Sequence, residues 1–178
     1  MFKLLRRYTH FPANVHGVAR FTYVSSTQML QMAIARVLHR LNKQTIDMKT
    51  LTRASQENCM VNFEFGIADA ETFNFLDEGE LRKLESILKD QALQILDVFC
   101  AARYQVKKAD GTFKSLKFDY NLLRFVFQRK NMELFIYHER GIRRIPMDDV
   151  VLFLINEINE KLVENHQGPL IQKHIHIL

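Results

Sequence analysis

The stretch from Val98 to Leu162 constrains the fold more than any other part of the chain, because its pattern indicates several consecutive elements. Its first nine residues alternate apolar and more polar side chains, which is typical of a strand with one buried face. Asp110 and Gly111 follow, and this pair tolerates the positive φ angles of a tight hairpin turn. Two more aromatic-rich strands and a helix from about Pro146 complete the stretch. The order predicts an antiparallel sheet covered by a helix.

The rest of the chain adds strands and two more amphipathic helices. Apolar residues at helical spacing predict helices over 26–42 and 78–96, with Asp77 placed to cap the second. The helix after Pro146, over 147–163, has the strongest apolar stripe of the three. Further strands are predicted over 18–24, 59–67 and 73–76. The predicted fold class is therefore α+β, with an antiparallel sheet of about six to seven strands and three main helices packed against it.

Length and composition favour one folded unit. The chain has 178 residues, of which 47% are apolar, and this suits a domain with its own core. We expect a single α+β domain over 1–178, with a basic N-terminal segment over 1–17 and a C-terminal tail over 164–178. Residues 43–58 fit either a short helix or a loop.

The sequence also bears on the cellular compartment. No apolar run approaches the roughly 20 residues of a membrane-spanning helix, so no membrane contact is expected. The first seven residues lack the apolar core of a secretory signal. Cys59 and Cys100 are the only cysteines, and both lie in strand patterns where buried free thiols are expected rather than a disulfide. These features together predict a cytoplasmic protein.

Three residues are the candidates for catalysis, since the sequence carries no recognised catalytic or phosphate-binding motif. His16 lies in a predicted loop, where it is available as a general base. His138 shares a strand face with apolar residues, and its catalytic use requires a partner such as Tyr104 or Asp119. Arg140 completes the set. The alternative is that these are ordinary loop and core residues, and no cofactor is expected.

Two histidine pairs bear on metal binding. His10 and His16 are six residues apart, which matches no familiar ligand spacing. His174 and His176 lie on the same side of an extended tail, a geometry that is able to hold a metal. A tail strand at a sheet edge, or a frayed terminus, is the alternative, and any metal affinity there is expected to be low and incidental. We therefore predict no metal site.

Basic and aromatic residues are concentrated between residues 124 and 144, where six basic side chains stand against two acidic ones. Single-stranded nucleic acid requires positive charge for its phosphates and exposed rings for base stacking. Residues 124–127 lack the glycines of the RNA-recognition-motif signature, and most of their rings alternate into the core. The candidate contacts are Lys3, Arg6, Arg7, Arg124, Arg129, Lys130, Arg140, Arg143 and Arg144.

The last predicted helix is apolar over more than one face, because Leu152 and Phe153 lie off its main stripe. Either the helix is sandwiched inside the molecule or this part of it meets a partner. The leading hypothesis is a non-enzymatic binding or interaction protein that acts as a homo-oligomer or with a protein partner. The alternatives are a module that binds RNA or single-stranded nucleic acid, and an enzyme whose active site is assembled from dispersed residues.

Overall fold

Three helices pack on one face of a nine-stranded antiparallel sheet in the computed structural model, which describes residues 6–53 and 58–178. The helices are α1 (Thr27–Leu41), α2 (Glu78–Asp90) and α3 (Met147–Glu164). The strands are β1 (Gly17–Thr22), β2 (Thr45–Asp47), β3 (Cys59–Asp69), β4 (Thr72–Phe75), β5 (Ile95–Lys107), β6 (Phe113–Ser115), β7 (Asp119–Gln128), β8 (Asn131–Arg140) and β9 (Ile171–Ile177). The α+β class is confirmed. The strand count exceeds the predicted one because the short β2 and the edge strand β9 add to it.

Strand β3 illustrates why one face of the sheet is buried. Every second residue from Cys59 to Ile67 is at most 1% exposed, whereas Met60, Asn62 and Glu64 between them are half-buried. The buried positions belong to the core that the helices complete. The opposite side of the sheet, which we call the open face, is not covered by any helix of the described residues. One antiparallel sheet thus has a core side and a side available for contacts.

Side-chain caps fix where α1 and α2 begin. Ser26 accepts a 3.1 Å hydrogen bond from the N–H of Met29. Asp77 accepts a 2.8 Å bond from the N–H of Glu80, as the sequence predicts. Within the described ranges, no helix has the length and apolar character that crossing a membrane requires.

The predicted helix over 78–96 is too long, since α2 ends at Asp90. Leu96 already lies in β5. The connection is held by Gln31 of α1, whose side chain bonds both the N–H and the carbonyl of Leu93, at 2.9 and 2.7 Å. The apolar residues after position 94 therefore continue the period of a strand and not that of a helix.

A bulge in β8 changes which side chains share a face. The order of the main strands is β2-β3-β5-β7-β8-β1-β9. Asn121 of β7 lies opposite His138, but the preceding Tyr120 lies opposite Arg140, so Glu139 is an extra residue in β8. A bulge of this kind re-aims the side chain that follows it. Arg140 therefore lies beside Tyr120 on the open face, although His138 points to the core side.

Residues 6–16, which we call the strap, cross the open face from β5 to β8. Its first residue accepts a 2.9 Å hydrogen bond from the N–H of Asp97 on β5, and its last residue, His16, donates a 2.9 Å bond to a β8 carbonyl. Between these points, the ring of Phe11 lies 4.2 Å from the guanidinium of Arg124 on β7. The strap therefore covers the middle of the open face and leaves depressions beside it.

Both cysteines are buried free thiols, as their strand patterns predict. Cys59 lies opposite Val106, near one end of the β3–β5 pair, and Cys100 lies opposite Phe65, six positions further along it. The thiols are thus far apart along the sheet and belong to its core side.

Candidate functional site

A cleft of about 490 Å³, which we call the aromatic cleft, lies on the open face beside the strap. Its floor comes from β5 and β7, and its walls come from the strap, β4 and the end of β8. Ligand pockets commonly have volumes of about 300–1,000 Å³. The lining residues are Tyr8, His10, Pro12, Phe73, Phe99, Tyr120, Leu122, Glu139 and Arg140.

Five aromatic rings form a continuous row through the cleft, which we call the ring row. Neighbouring ring centroids are 4.7, 5.7, 5.6 and 6.0 Å apart, all within the range of favourable aromatic pairs. Phe99 faces the open side because its neighbours Val98 and Cys100 are both fully buried in the core. In order, the members are Tyr8, Phe73, Phe99, Tyr120 and Phe118.

Small residues on β3 make room for one end of the row. Gly66 lies opposite Phe75 and Ala68 lies opposite Phe73, so β4 places two rings beside two small residues. A Cβ atom at Gly66 would lie 3.2 Å from the Cβ of Phe73. A larger residue at position 66 would therefore push β4 away from the sheet and displace the ring row.

Arginines occupy the other end of the row. The guanidinium of Arg140 lies 5.6 Å from the ring centroid of Tyr120, within cation–π distance. Arg140 is exposed and forms no ion pair with any residue of the described chain. Arg103 lies 4.5 Å from the ring of Phe118 and also pairs with Glu64 at 2.9 Å. Arg140 is thus the guanidinium whose charge remains available to a ligand.

Further positive charge surrounds this end of the sheet. Segment 103–118 carries five basic residues against the single acidic residue Asp110, and the sequence analysis did not single it out. The end of β5 pairs with the start of β7, which in turn pairs with the end of β8, so the segment starts beside Arg140 and extends away from it, reaching Lys107 about 20 Å further along β5. Four lysines here are exposed and form no ion pair within the described chain. With Arg143 they form a group that we call the basic fringe: Lys107, Lys108, Lys114, Lys117 and Arg143.

Asp119 anchors the loop that carries Arg143. Its Oδ1 accepts a 2.8 Å hydrogen bond from the N–H of Arg143, and its Oδ2 accepts 2.8 and 2.6 Å bonds from the N–H of Arg144 and the hydroxyl of Tyr104. The Nε2 of His138 lies 3.3 Å from Oδ1. Burial, and then the bond to Asp119, raises the pKa of Tyr104, which therefore stays a donor.

Gly141 is required where this loop leaves β8. Its φ is +115°, which side-chain-bearing residues rarely adopt. A Cβ at this position would overlap Oδ1 of Asp119 and would lie 2.5 Å from the carbonyl oxygen of Phe118. The close approach of the backbone to the buried carboxylate therefore depends on glycine.

The three candidate catalytic residues divide between the two faces of the sheet. The Nδ1 of His16 accepts a 2.8 Å hydrogen bond from the N–H of His138, and its ring stacks on Tyr137 at 4.6 Å. The His138 side chain is 8% exposed and points towards the buried Asp119. Arg140 lines the aromatic cleft on the other face. These side chains therefore do not converge on one point at which a substrate could be held.

The basic residues predicted for nucleic-acid contact do not form one surface. Arg6 is buried in an ion pair with Glu80 of α2. Arg124 donates two hydrogen bonds of 2.7 Å to the carboxylate of Asp97, which is fully buried. The charges of both arginines are thus neutralised by carboxylates within the fold.

Arg129 and Lys130 form the turn between β7 and β8, at the opposite end of these strands from Arg140. Ten strand residues separate the two ends by roughly 30 Å. Both turn residues have positive φ, 48° and 63°, and the Nζ of Lys130 donates a 2.6 Å bond to the carbonyl of Ser25. This pair therefore lies far from the ring row.

The remaining basic candidates have different surroundings. Arg143 is exposed on the loop after β8, whereas the guanidinium of Arg144 lies 5.8 Å from the ring of Tyr104. Arg7 is half-buried in the strap. Lys3 lies outside the described residues. Of the nine predicted contacts, Arg140 is thus the one that is exposed and lines the cleft, whereas Arg143 is exposed on a loop whose backbone is held by Asp119.

The two candidate interface residues of α3 differ in how far they are buried. The ring of Phe153 lies 5.9 Å from the ring of Phe63, so it packs against the core side of the sheet. Leu152 is 39% exposed. The extra apolar character of the helix is thus explained by packing at Phe153 and not at Leu152.

The histidines singled out for metal binding are also separated. His10 lines the aromatic cleft, while His16 is engaged with β8. His174 and His176 lie side by side on β9, with ring centroids 6.4 Å apart and planes within 14° of parallel. Within residues 6–53 and 58–178, no three potential metal ligands come together.

Comparison of the chain with protein-family models, with curated proteins and with solved structures gave no match.

Proposed function

We propose that this protein is a non-enzymatic binding protein that holds single-stranded nucleic acid in the aromatic cleft. The observation that carries the proposal is the ring row, which runs across the uncovered face of the sheet and meets, at Tyr120, the guanidinium of Arg140, a cation with no ion pair within the described chain. Rings on an open sheet face, with cations beside them, are the arrangement by which several folds bind unpaired bases.

The ring row supplies the sequence-independent part of the binding energy. Phe99 and Tyr120 form the floor of the cleft and are half-buried, so their faces are partly accessible. Stacking of a base on such a ring contributes about 1–3 kcal/mol. Two unpaired bases stacked in the cleft would thus bind appreciably before any phosphate contact is counted.

The basic fringe and Arg140 supply the phosphate contacts. Arg140 lies beside Tyr120, the lysines of the basic fringe lie beyond that end of the row, and none of these cations has a carboxylate partner within the described chain. Glu139 and His10 stand at the walls of the cleft, where each presents polar atoms to the edge of a base. The proposed strand therefore runs with its bases towards the cleft and its backbone towards the fringe.

The shape of the cleft favours an unpaired strand. A duplex keeps its base faces stacked inside, so the ring row would offer it nothing to stack on. The strap also stands above the sheet at one wall, with Pro12 and His10 lining the cleft. A single strand with splayed bases fits this concavity better than a rigid helix does.

Fluorescence anisotropy with a labelled oligonucleotide of about ten nucleotides tests the proposal. We expect the single strand to bind more tightly than a duplex of the same sequence. Neutralisation of three to five phosphates gives a slope of log K against log salt of roughly −2 to −3.5. Absence of binding even at low salt, or equal affinity for the duplex, would contradict the proposal.

A further inference from the structure

We propose that β9 pairs with β9 of a second copy of this chain around a two-fold axis, and that the four histidines brought together bind one zinc ion. The proposal is independent of the aromatic cleft. It rests on three features of β9: its free edge, the direction of its backbone hydrogen bonds and the placement of its two histidines.

No strand of residues 6–53 and 58–178 pairs with the outer edge of β9. β9 is the last strand of the sheet and pairs with β1 alone among the described strands. Its seven residues contain no proline, and Ile171 is 51% exposed. An edge of this kind offers backbone donors and acceptors to a further strand.

The hydrogen-bond pattern fixes which residues face the free edge. The N–H of Leu178 donates a 2.8 Å bond to the carbonyl of His16, next to β1. Because residues of an antiparallel strand alternate in the neighbour that they bond, His176 and His174 also bond towards β1. The N–H and carbonyl of Ile175 therefore point outwards, and Ile175 is the natural centre of a two-fold pairing.

This register places the histidines of the two copies opposite one another. With Ile175 at the centre, His174 faces the partner's His176, and His176 faces the partner's His174. All four lie on the open face, since His174 is in register with Arg20 and His176 with Val18. The Cβ atoms then stand at the corners of a rectangle of about 5 by 7 Å.

The dimensions suit a tetrahedral zinc site. An imidazole nitrogen binds zinc at about 2.0–2.1 Å, and a histidine side chain reaches the centre of such a rectangle from each corner. The rings of His174 and His176 are already side by side, 6.4 Å apart. Within one chain the site is incomplete, because the described residues supply no third ligand.

Two basic side chains, those of Arg20 and Lys173, lie on the same face as the histidines. Arg20 lies across from His174, but its Nε is held 2.7 Å from Glu133 in an ion pair. Lys173 is the extra residue of a bulge in β9 and lines a depression on the open face together with Arg20 and Glu133. The four imidazoles therefore remain the nearest ligands to the proposed ion.

Native mass spectrometry and sedimentation during a zinc titration test the proposal. We expect a dimer that holds one zinc per two chains and that dissociates when a chelator is added. His174→Ala and His176→Ala should each abolish the zinc-dependent dimer, whereas His166→Asn, at an exposed histidine outside β9, should not. Nucleic-acid binding at the aromatic cleft should be unchanged in all three variants.

Ile175→Pro separates strand pairing from ligand loss. It removes the outward N–H while leaving both histidines and their bonds to β1 in place, so we expect it to abolish dimerisation with circular dichroism unchanged. The proposal is overturned by a protein that stays monomeric at every zinc concentration, by one zinc per single chain, or by a zinc-dependent dimer that survives His174→Ala.

Discussion

The hydroxyl of Tyr104 donates a 2.6 Å hydrogen bond to Oδ2 of Asp119, and both side chains are buried. The same carboxylate accepts the N–H groups of Arg143 and Arg144, so one buried acid ties the loop after β8 to the sheet. This connection lies directly behind the aromatic cleft. It holds in place the loop that presents Arg143, which belongs to the basic fringe.

Replacement of Asp119 should be costly for the fold. Asp119→Ala leaves the buried Tyr104 hydroxyl and two part-buried backbone N–H groups without this acceptor, and we expect a loss of about 3–5 kcal/mol in the free energy of unfolding. Urea denaturation measures this change. Asp110→Ala, at a fully exposed turn residue, is the matched control and should have a much smaller effect. Equal effects of the two substitutions would contradict the assigned role of Asp119.

Contact between the strap and β8 should weaken in mild acid. Burial, and then the nearby charges of Arg143 and His138, lowers the pKa of His16 below its ordinary value of 6.5. A group whose pKa is lower in the folded state contributes stability above its unfolded pKa, and this is lost as the pH falls through the folded value. The Nδ1 of His16 accepts the hydrogen bond from the His138 amide. The hydrogen-exchange protection of this amide should therefore decrease as the pH is lowered from about 6.5.

One substitution tests whether protonation of His16 causes this loss of protection. His16→Gln should make the protection of the His138 amide independent of pH over the same range. If the protection still depends on pH in this variant, a group other than His16 causes the pH dependence.

The buried ion pair between Arg6 and Glu80 anchors the start of the strap to α2. Glu80→Ala leaves a buried guanidinium without its carboxylate, and we expect a loss of about 3–5 kcal/mol in the free energy of unfolding. Glu85 lies on the same helix as Glu80 and forms a more exposed ion pair with Arg36 of α1. Glu85→Ala breaks this pair and should cost at most about 1 kcal/mol in the free energy of unfolding. Denaturant titrations of the two variants provide the comparison, and a small effect of Glu80→Ala would exclude an anchoring role.

The two thiols should be chemically inert in the folded protein. Burial raises the pKa of Cys59 and, more strongly, that of Cys100, so neither forms a thiolate near neutral pH. We expect no reaction with a disulfide reagent under native conditions and reaction of both thiols after denaturation. Rapid reaction of either thiol in the native protein would contradict the described burial.

The fold was largely predictable because the repeats of apolar residues along its strands and helices involve only near neighbours in the sequence. Alternation along residues 59–67 and the helical stripes of α1 and α3 depend on neighbours a few positions apart. The end of α2 was not predictable in this way, since Leu96 fits the stripe of a helix and the alternation of a strand equally well. Pairing with β7 decides between them.

The site was less predictable because it depends on contacts between distant segments. The period of two assigns Arg140 to the same face as His138, and only the bulge at Glu139 moves it to the open face. The neutralisation of Arg124 by Asp97 likewise requires knowledge of which strands are neighbours. One local signal was present but unused: Val98 and Phe99 are consecutive large apolar residues, which indicates a strand with apolar contacts on both faces.

The most direct test of the account is the dissociation constant for a single-stranded oligonucleotide, measured for the wild-type protein and three variants. Tyr120→Leu removes a ring from the floor of the cleft, Arg140→Gln removes its free charge, and Arg129→Gln removes a charge roughly 30 Å away. We expect the first two variants to weaken binding about tenfold each and Arg129→Gln to have little effect. Unchanged affinity in Tyr120→Leu, or an equal loss in Arg129→Gln, would contradict binding at the aromatic cleft.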